Sequence, residues 1–284
     1  MNSFTKLSLF VFILIFISSI QLCIAQSPAP NSAAFQWPEG KKMALTLSFD
    51  DARLSQIDRG IPLLDKYAVK GTFYVLSENV SERLKGWKEA IKKGHDIGNH
   101  SFSHPCSANY GWPVLNQLEL FTLERMSKNL DSASSSIKTL LGVDTFSFAY
   151  PCGLTFVGKG IETKSYVPLI ASSFETGRLW MSEAANNPQF CDMAQLGGIG
   201  FEGKSFDEIK ELIESAKREG KWLILVGHEI NGQELATLEM ILKYATDPAN
   251  GIWIDHVRAI ASYVREKRGE ARFVKSSSNS SSSL

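Results

Sequence analysis

KMALTLSFDD, residues 42–51, decides how the rest of the chain is read. Apolar residues and threonine run together from Met43 to Phe49, and two aspartates end the run. An apolar run without alternation suits a strand buried on both faces that opens into a loop at Asp50. GTFYVL (71–76) reads as a second such strand. Between them, Ile61, Leu64 and Ala68 keep helical spacing over residues 57–67, with Pro62 tolerable in a first turn. Residues 82–93 read as an amphipathic helix ended by Gly94, and HDIGNHS (95–101) as a short strand or loop. Residues 115–141 read as one long helix closed by Gly142. TFSFAYP (145–151), residues 167–173 and KWLILVGHEI (221–230) read as strands. Residues 206–219, 235–246 and 257–267 read as helices. Strands alternate with helices, which argues a parallel α/β domain, open or closed into a barrel.

Such folds carry their chemistry beyond the C-terminal ends of the strands. Asp50 and Asp51 stand at one strand end, and NHSFSHP (99–105) follows the GHDIG segment. Tyr150, Pro151, Cys152 and Gly153 follow another strand, and His228 and Glu229 a third. Paired aspartates also cap helices, and a histidine after an apolar strand is commonly a satisfied polar residue. Four segments with compatible chemistry on one face favour a site instead. His100, His104 and one carboxylate make a three-ligand metal set with open positions, as catalytic zinc sites are built. A second carboxylate beside it suits a base, and a histidine on the far side suits an acid.

The chain has 284 residues, 44% hydrophobic and 21% charged, with 30 basic and 30 acidic side chains. Nothing in that balance suggests a nucleic-acid patch or a polybasic membrane contact. Lys6 precedes an apolar run from Leu7 to about Ile17, and Cys23 and Ala25 stand three and one positions before a cut at Gln26. Residues 1–25 read as a signal peptide, giving a secreted or periplasmic protein with no membrane span after cleavage. Residues 26–40 read as a linker, 41–273 as the folded domain, and 274–284 as a disordered serine-rich tail. Cys106, Cys152 and Cys191 then remain. Three is odd, so at least one thiol is free or pairs outside the chain, and the pairing stays open.

LTLSFDD, GHDIGNHSFSHP, FAYPCG and LILVGHE, in this order, resemble the polysaccharide deacetylases of carbohydrate esterase family 4, the NodB-homology domain. The resemblance spans about residues 43–265. It implies a distorted (β/α) barrel, a divalent metal and hydrolysis of N- or O-acetyl groups on sugars. It assigns Asp50 as general base, Asp51, His100 and His104 as metal ligands, and His228 as general acid. The backbone N–H of Cys152 takes the place of the oxyanion donor. Zinc suits the ligand set; cobalt, nickel and manganese fit it too.

The family's third motif often opens with an arginine that contacts the catalytic aspartate, and here that position is Ala149. ETGRLW places Arg178 just after the next expected strand, from where it is expected to reach the site and pair with Asp50. Tyr150 and Trp180 are candidate platforms for a sugar ring. His95 is expected to orient the turn before Ile97, and His256 to be structural or exposed. The expected partner is an acetylated carbohydrate such as xylan, a chitin-like polymer or peptidoglycan. A non-catalytic carbohydrate-binding protein and a hydrolase of small linear or cyclic amides are the alternatives. Nothing in the sequence speaks to oligomeric state.

Overall fold

Met43–Asp50 is the axial strand, β1, and every residue in it is buried. The computed structural model describes residues 34–110 and 116–274. The segment read as a signal peptide, most of the segment read as a linker and residues 275–284 lie outside the described residues. Along the chain follow β2 (Thr72–Val75), β3 (Asp96–Asn99), β4 (Ser147–Ala149), β5 (Phe156–Val157) and β6 (Lys164–Ser165). After these come β7 (Thr176–Arg178), β8 (Ile199–Gly200), β9 (Trp222–Gly227) and β10 (Ile252–Ile254). The main sheet runs β7-β4-β3-β2-β1-β9-β8, with β10 also on β1. Its pairings are parallel throughout. β5 and β6 form a separate antiparallel pair.

The edge of β7 is not left open. Leu196 N donates to Gly177 O (2.8 Å), Leu196 O accepts from Leu179 N (2.7 Å), and the chain runs on from there into β8. The sheet therefore curls back on itself as a distorted (β/α) barrel. Helices α1 (Ile61–Lys66), α2 (Ser77–Val80), α3 (Leu84–Lys92), α4 (Leu123–Leu141), α5 (Val167–Ser173), α6 (Phe206–Arg218), α7 (Gly232–Thr246) and α8 (Val257–Arg268) connect the strands. The main core packs Leu45, Leu47, Phe49 and Leu225 against Leu64, Trp87, Ile213 and Leu238. Continuous burial on both faces explains why these strands read as unbroken apolar runs.

Three expectations change. Residues 167–173 form α5, not a strand. Pro168 lies in its first turn, where a missing N–H costs nothing, whereas a ladder would lack that donor. The strand of this region is β7. The long helix begins at Leu123, because extended Thr122 caps it by accepting from Arg125 N, and a separate 3₁₀ turn covers Leu118–Leu120; Leu115 lies outside the described residues. Trp37, in the segment read as linker, is buried, and its indole N–H donates to Gly220 O at 2.9 Å.

Candidate metal centre and active site

β1 delivers Asp50 as its last residue, and the chain turns sharply there: Asp51 and Ala52 take φ of 74° and 56°. Left-handed backbone is costly away from glycine and gathers where function over-determines it. Ser101, His104 and Cys152 share it, at 68°, 46° and 55°. The turn is clamped by Asp51 N donating to Tyr74 O (3.0 Å) and Asn79 Nδ2 donating to Asp51 O (2.8 Å). Buried Gln56 ties β1 to β9 by donating to both Asp50 O (2.6 Å) and His228 O (2.8 Å).

β3 delivers His100. Its Nδ1 lies 2.9 Å from Ala149 O, an acceptor, so Nδ1 carries the proton and Nε2 keeps a lone pair. That Nε2 lies 3.5 Å from Asp51 Oδ1 and 4.0 Å from Asp50 Oδ2. The following loop is wound tightly, with Ser101 N donating to Asn99 Oδ1 (2.7 Å) and His104 N to Ser101 Oγ (3.0 Å). His104 Nε2 comes to rest 3.6 Å from the same Asp51 Oδ1.

The other Asp51 oxygen, Oδ2, is engaged by Arg53 Nη2 at 2.9 Å, while Oδ1 is buried with no hydrogen-bond partner. An orphaned carboxylate oxygen facing two imidazole nitrogens is costly unless a cation sits among them. Asp51, His100 and His104 therefore fit a divalent metal. Burial pushes the Asp51 carboxyl up, but His100, His104, His228 and Arg53 hold it below the usual carboxylate range. Burial and then the neighbouring His100 push His104 down to about 4, leaving it neutral.

Asp50 lies beside this set. Arg178, the last residue of β7, is fully buried, and its Nη2 pairs with Asp50 Oδ1. The guanidinium rests over the Tyr74 ring, 4.9 Å from its centroid. His228 follows β9 on the far side of a cavity of about 500 Å³ that His104, Cys152 and Trp180 also line. Its Nδ1 lies 2.8 Å from Glu202 Oε2. Glu202 Oε1 accepts from the backbone N–H of His228 (2.7 Å) and of Glu229 (2.9 Å). Burial pulls the His228 imidazole down, but Glu202, Asp50 and Asp51 raise it above its ordinary value. Nδ1 thus faces a carboxylate, leaving Nε2 as the group free to exchange a proton with a ligand.

The turn after β4 runs over Pro151–Gly153 and puts Cys152 at the cavity wall. Cys106 and Cys152 form a disulfide, which settles the open pairing, and Cys191 is free. Trp180 lines the cavity with its ring edge-on to His228, centroids 5.4 Å apart. Tyr150 also lines the cavity, but it is 1% exposed, packs on Phe148 and Tyr166, and donates its hydroxyl to Ala194 O (2.8 Å). His95 accepts from Gly71 N, and His256 caps α8. Sequence reasoning missed Glu202 and Arg53. The only trace of Glu202 is an acid between Phe201 and Gly203, three residues after Ile199.

The chain matches the polysaccharide deacetylase family over residues 38–158. It is 32% identical over 97 residues to the uncharacterized protein YlxY of Bacillus subtilis, covering 34% of this chain and 27% of that one. It is 28% identical over 110 residues to the peptidoglycan-N-acetylmuramic acid deacetylase PdaA of the same organism, covering 38% of each. The matched stretch thus spans well under half of either relative's length. A crystal structure of a putative polysaccharide deacetylase from Mycobacterium smegmatis superposes with a TM-score of 0.62 at 15% identity, covering 86% of this chain and 98% of that one. That likeness speaks to the fold. The family match covers the part of the barrel that carries Asp50, Asp51, His100, His104 and Cys152, so the chain is similar to the polysaccharide deacetylases over that stretch.

Proposed function

We propose that this chain is an exported, divalent-metal-dependent hydrolase that removes N- or O-acetyl groups from a polysaccharide or oligosaccharide. One observation carries the reading. The orphaned Asp51 Oδ1 faces both His100 and His104, while Asp50, paired with Arg178, stands beside them across the cavity from His228. A divalent cation held by Asp51, His100 and His104, zinc before cobalt, nickel or manganese, supplies Lewis acidity toward a carbonyl and a water. The chain's own residues do the rest. Asp50, oriented by Arg178, takes the proton of the attacking water. The Cys152 N–H donates to the oxygen that gains charge. His228, oriented by Glu202, gives its Nε2 proton to the departing amine or alcohol, and acetate leaves. Trp180 at the cavity wall flanks the sugar.

Export is supported by the charged-then-apolar N-terminus and by the Cys106–Cys152 bond, since disulfides persist in oxidising compartments. A glycan substrate is supported by the family match and by the naming of PdaA for peptidoglycan. The test is acetate release from acetylated xylan, chitin oligomers and peptidoglycan, with and without chelator, beside Asp50→Asn. Chelator-sensitive release that zinc or cobalt restores and the variant lacks supports the reading. Release from small amides alone, or glycan binding without release, replaces it.

A further inference from the structure

His104 presents its two ring nitrogens to two different sets of donors. Nε2 faces Asp51 Oδ1, while Nδ1 lies 3.7 Å from Cys106 Sγ. His104, Cys106 and Cys152 offer ligand atoms within 4.8 Å of one another. While the two sulfurs are bonded, neither is a thiolate, and the thiolate is the form that binds metal. We propose that reduction of the Cys106–Cys152 disulfide uncovers a second, softer metal site, made of His104 Nδ1 and the two thiolates, which takes zinc and withdraws His104 from Asp51 and His100.

The chemistry balances with a dithiol reductant. Each sulfur gains one electron and one proton, and the reductant closes to its own disulfide. On binding zinc, the two thiols release their protons to solvent. Two sulfurs and one imidazole are a ligand set zinc accepts, and two thiolates on one tetrahedral ion stand roughly 3.7 Å apart. The Cα atoms, 5.9 Å apart, leave room for the sulfurs to part by side-chain rotation. The backbone holds both residues in place without the bond. Leu118 N donates to Cys106 O (3.0 Å), and Tyr110 Oη donates to Cys152 O (3.2 Å).

Thiolate is a softer donor than carboxylate, so zinc prefers the uncovered set. A neutral imidazole has one lone pair. When His104 Nδ1 ligates, Nε2 carries the proton and points an N–H at Asp51 Oδ1. The set proposed for catalysis is then one ligand short. The disulfide therefore does more than brace a loop: it keeps His104 committed to Asp51. This consequence rests on Asp51, His100 and His104 being the catalytic ligands; the thiolate site does not.

The test uses the full chain, oxidised and dithiothreitol-reduced, freed of reductant under anaerobic conditions and titrated with Co²⁺. The reduced chain is expected to gain an intense near-ultraviolet thiolate-to-cobalt band that the oxidised chain lacks, with acetate release falling as the band grows. C106S/C152S should show no band after the same treatment, and C191S should keep it. If the double variant does not fold, C106S alone, with one thiolate left, should give about half the band. A reduced chain without the band, a band that follows Cys191, an undiminished band in C106S, or loss of near-ultraviolet dichroism on reduction each overturns the proposal. Failure of the catalytic reading shows separately, as an oxidised chain without the visible cobalt bands of the Asp51 set.

Discussion

Arg178 and Ala149 are register partners on the parallel strands β7 and β4, and it is Arg178 that reaches the carboxylate of Asp50. The third motif of the family often carries its arginine at the Ala149 position. Partners in parallel register point to the same face, so a guanidinium displaced by one strand still finds the same aspartate. Both groups are buried, Arg178 at 0% and Asp50 at 3% exposure. Arg178→Ala leaves the carboxylate buried and unpaired, a loss of about 3–5 kcal/mol in a urea melt. Acetate release should fall about a hundredfold. Arg178→Lys keeps the charge but not the planar fork, and should fall between the two. Wild-type stability and activity in Arg178→Ala would remove the pairing from the mechanism.

Glu202 sets the proton on His228. As an acid, His228 works only while protonated, so activity declines as pH rises through its pKa. Glu202, with Asp50 and Asp51, raises that pKa. Glu202→Gln removes the largest raising contact, so the alkaline decline should move to lower pH, with release at about pH 8 down roughly tenfold. The stability linkage has the matching sign. A raised folded-state pKa stabilises fully below the unfolded value and is lost as pH climbs through the folded one. The variant should therefore be destabilised more at about pH 5.5 than at about pH 8.5. An unmoved alkaline limb would assign the carboxylate to backbone anchoring alone, through its bonds to His228 N and Glu229 N.

Asp51→Asn keeps the shape of the turn and removes the only anionic ligand of the proposed set. Zinc affinity should weaken more than about a hundredfold, beyond what losing a supporting contact to a ligand costs. Calorimetry separates this from a folding defect. At about a hundredfold excess over Kd, a bound ion adds roughly 2.7 kcal/mol to the wild type, a gain that chelator abolishes. The variant's melting temperature should be indifferent to chelator. A variant that still melts higher with zinc would place the ion elsewhere.

The residues legible in the sequence are those whose chemistry and position lie in one short segment. SFDD and HSFSH each follow a strand directly, so strand reading and residue type together locate Asp50, Asp51, His100 and His104. Glu202 follows a strand of two residues, Ile199–Gly200, too short for any period to show. Its link to His228 spans 26 residues and exists because β8 lies beside β9. The Cys106–Cys152 bond spans 46 residues and likewise needs the fold. VPLIASS misleads because its apolar, β-branched composition suits a strand, and Pro168 is its only contrary signal. Tyr150 follows a three-residue strand, and the bond of its hydroxyl to Ala194 O is decided by tertiary packing.

Gly98 connects the fold to the chemistry most directly. It is the register partner of Tyr74 across β2 and β3. A Cβ at this position would lie 2.3 Å from Tyr74 Cδ1, 2.6 Å from Cε1 and 2.9 Å from Ser147 Oγ. The ring is fully buried and carries the Arg178 guanidinium on its face, so it cannot retreat without moving the arginine. Gly98→Ala should cost about 1–3 kcal/mol by overpacking. Its loss of acetate release should exceed what partial unfolding explains, because Asp50 loses its orienting partner. A double-mutant cycle with Arg178→Ala isolates that route. If the alanine acts through Tyr74 and Arg178, the double variant loses less activity than the product of the single losses. Multiplicative losses would mean that the clash reaches the site by another path, with Ser147 beside Gly98 the next contact to examine.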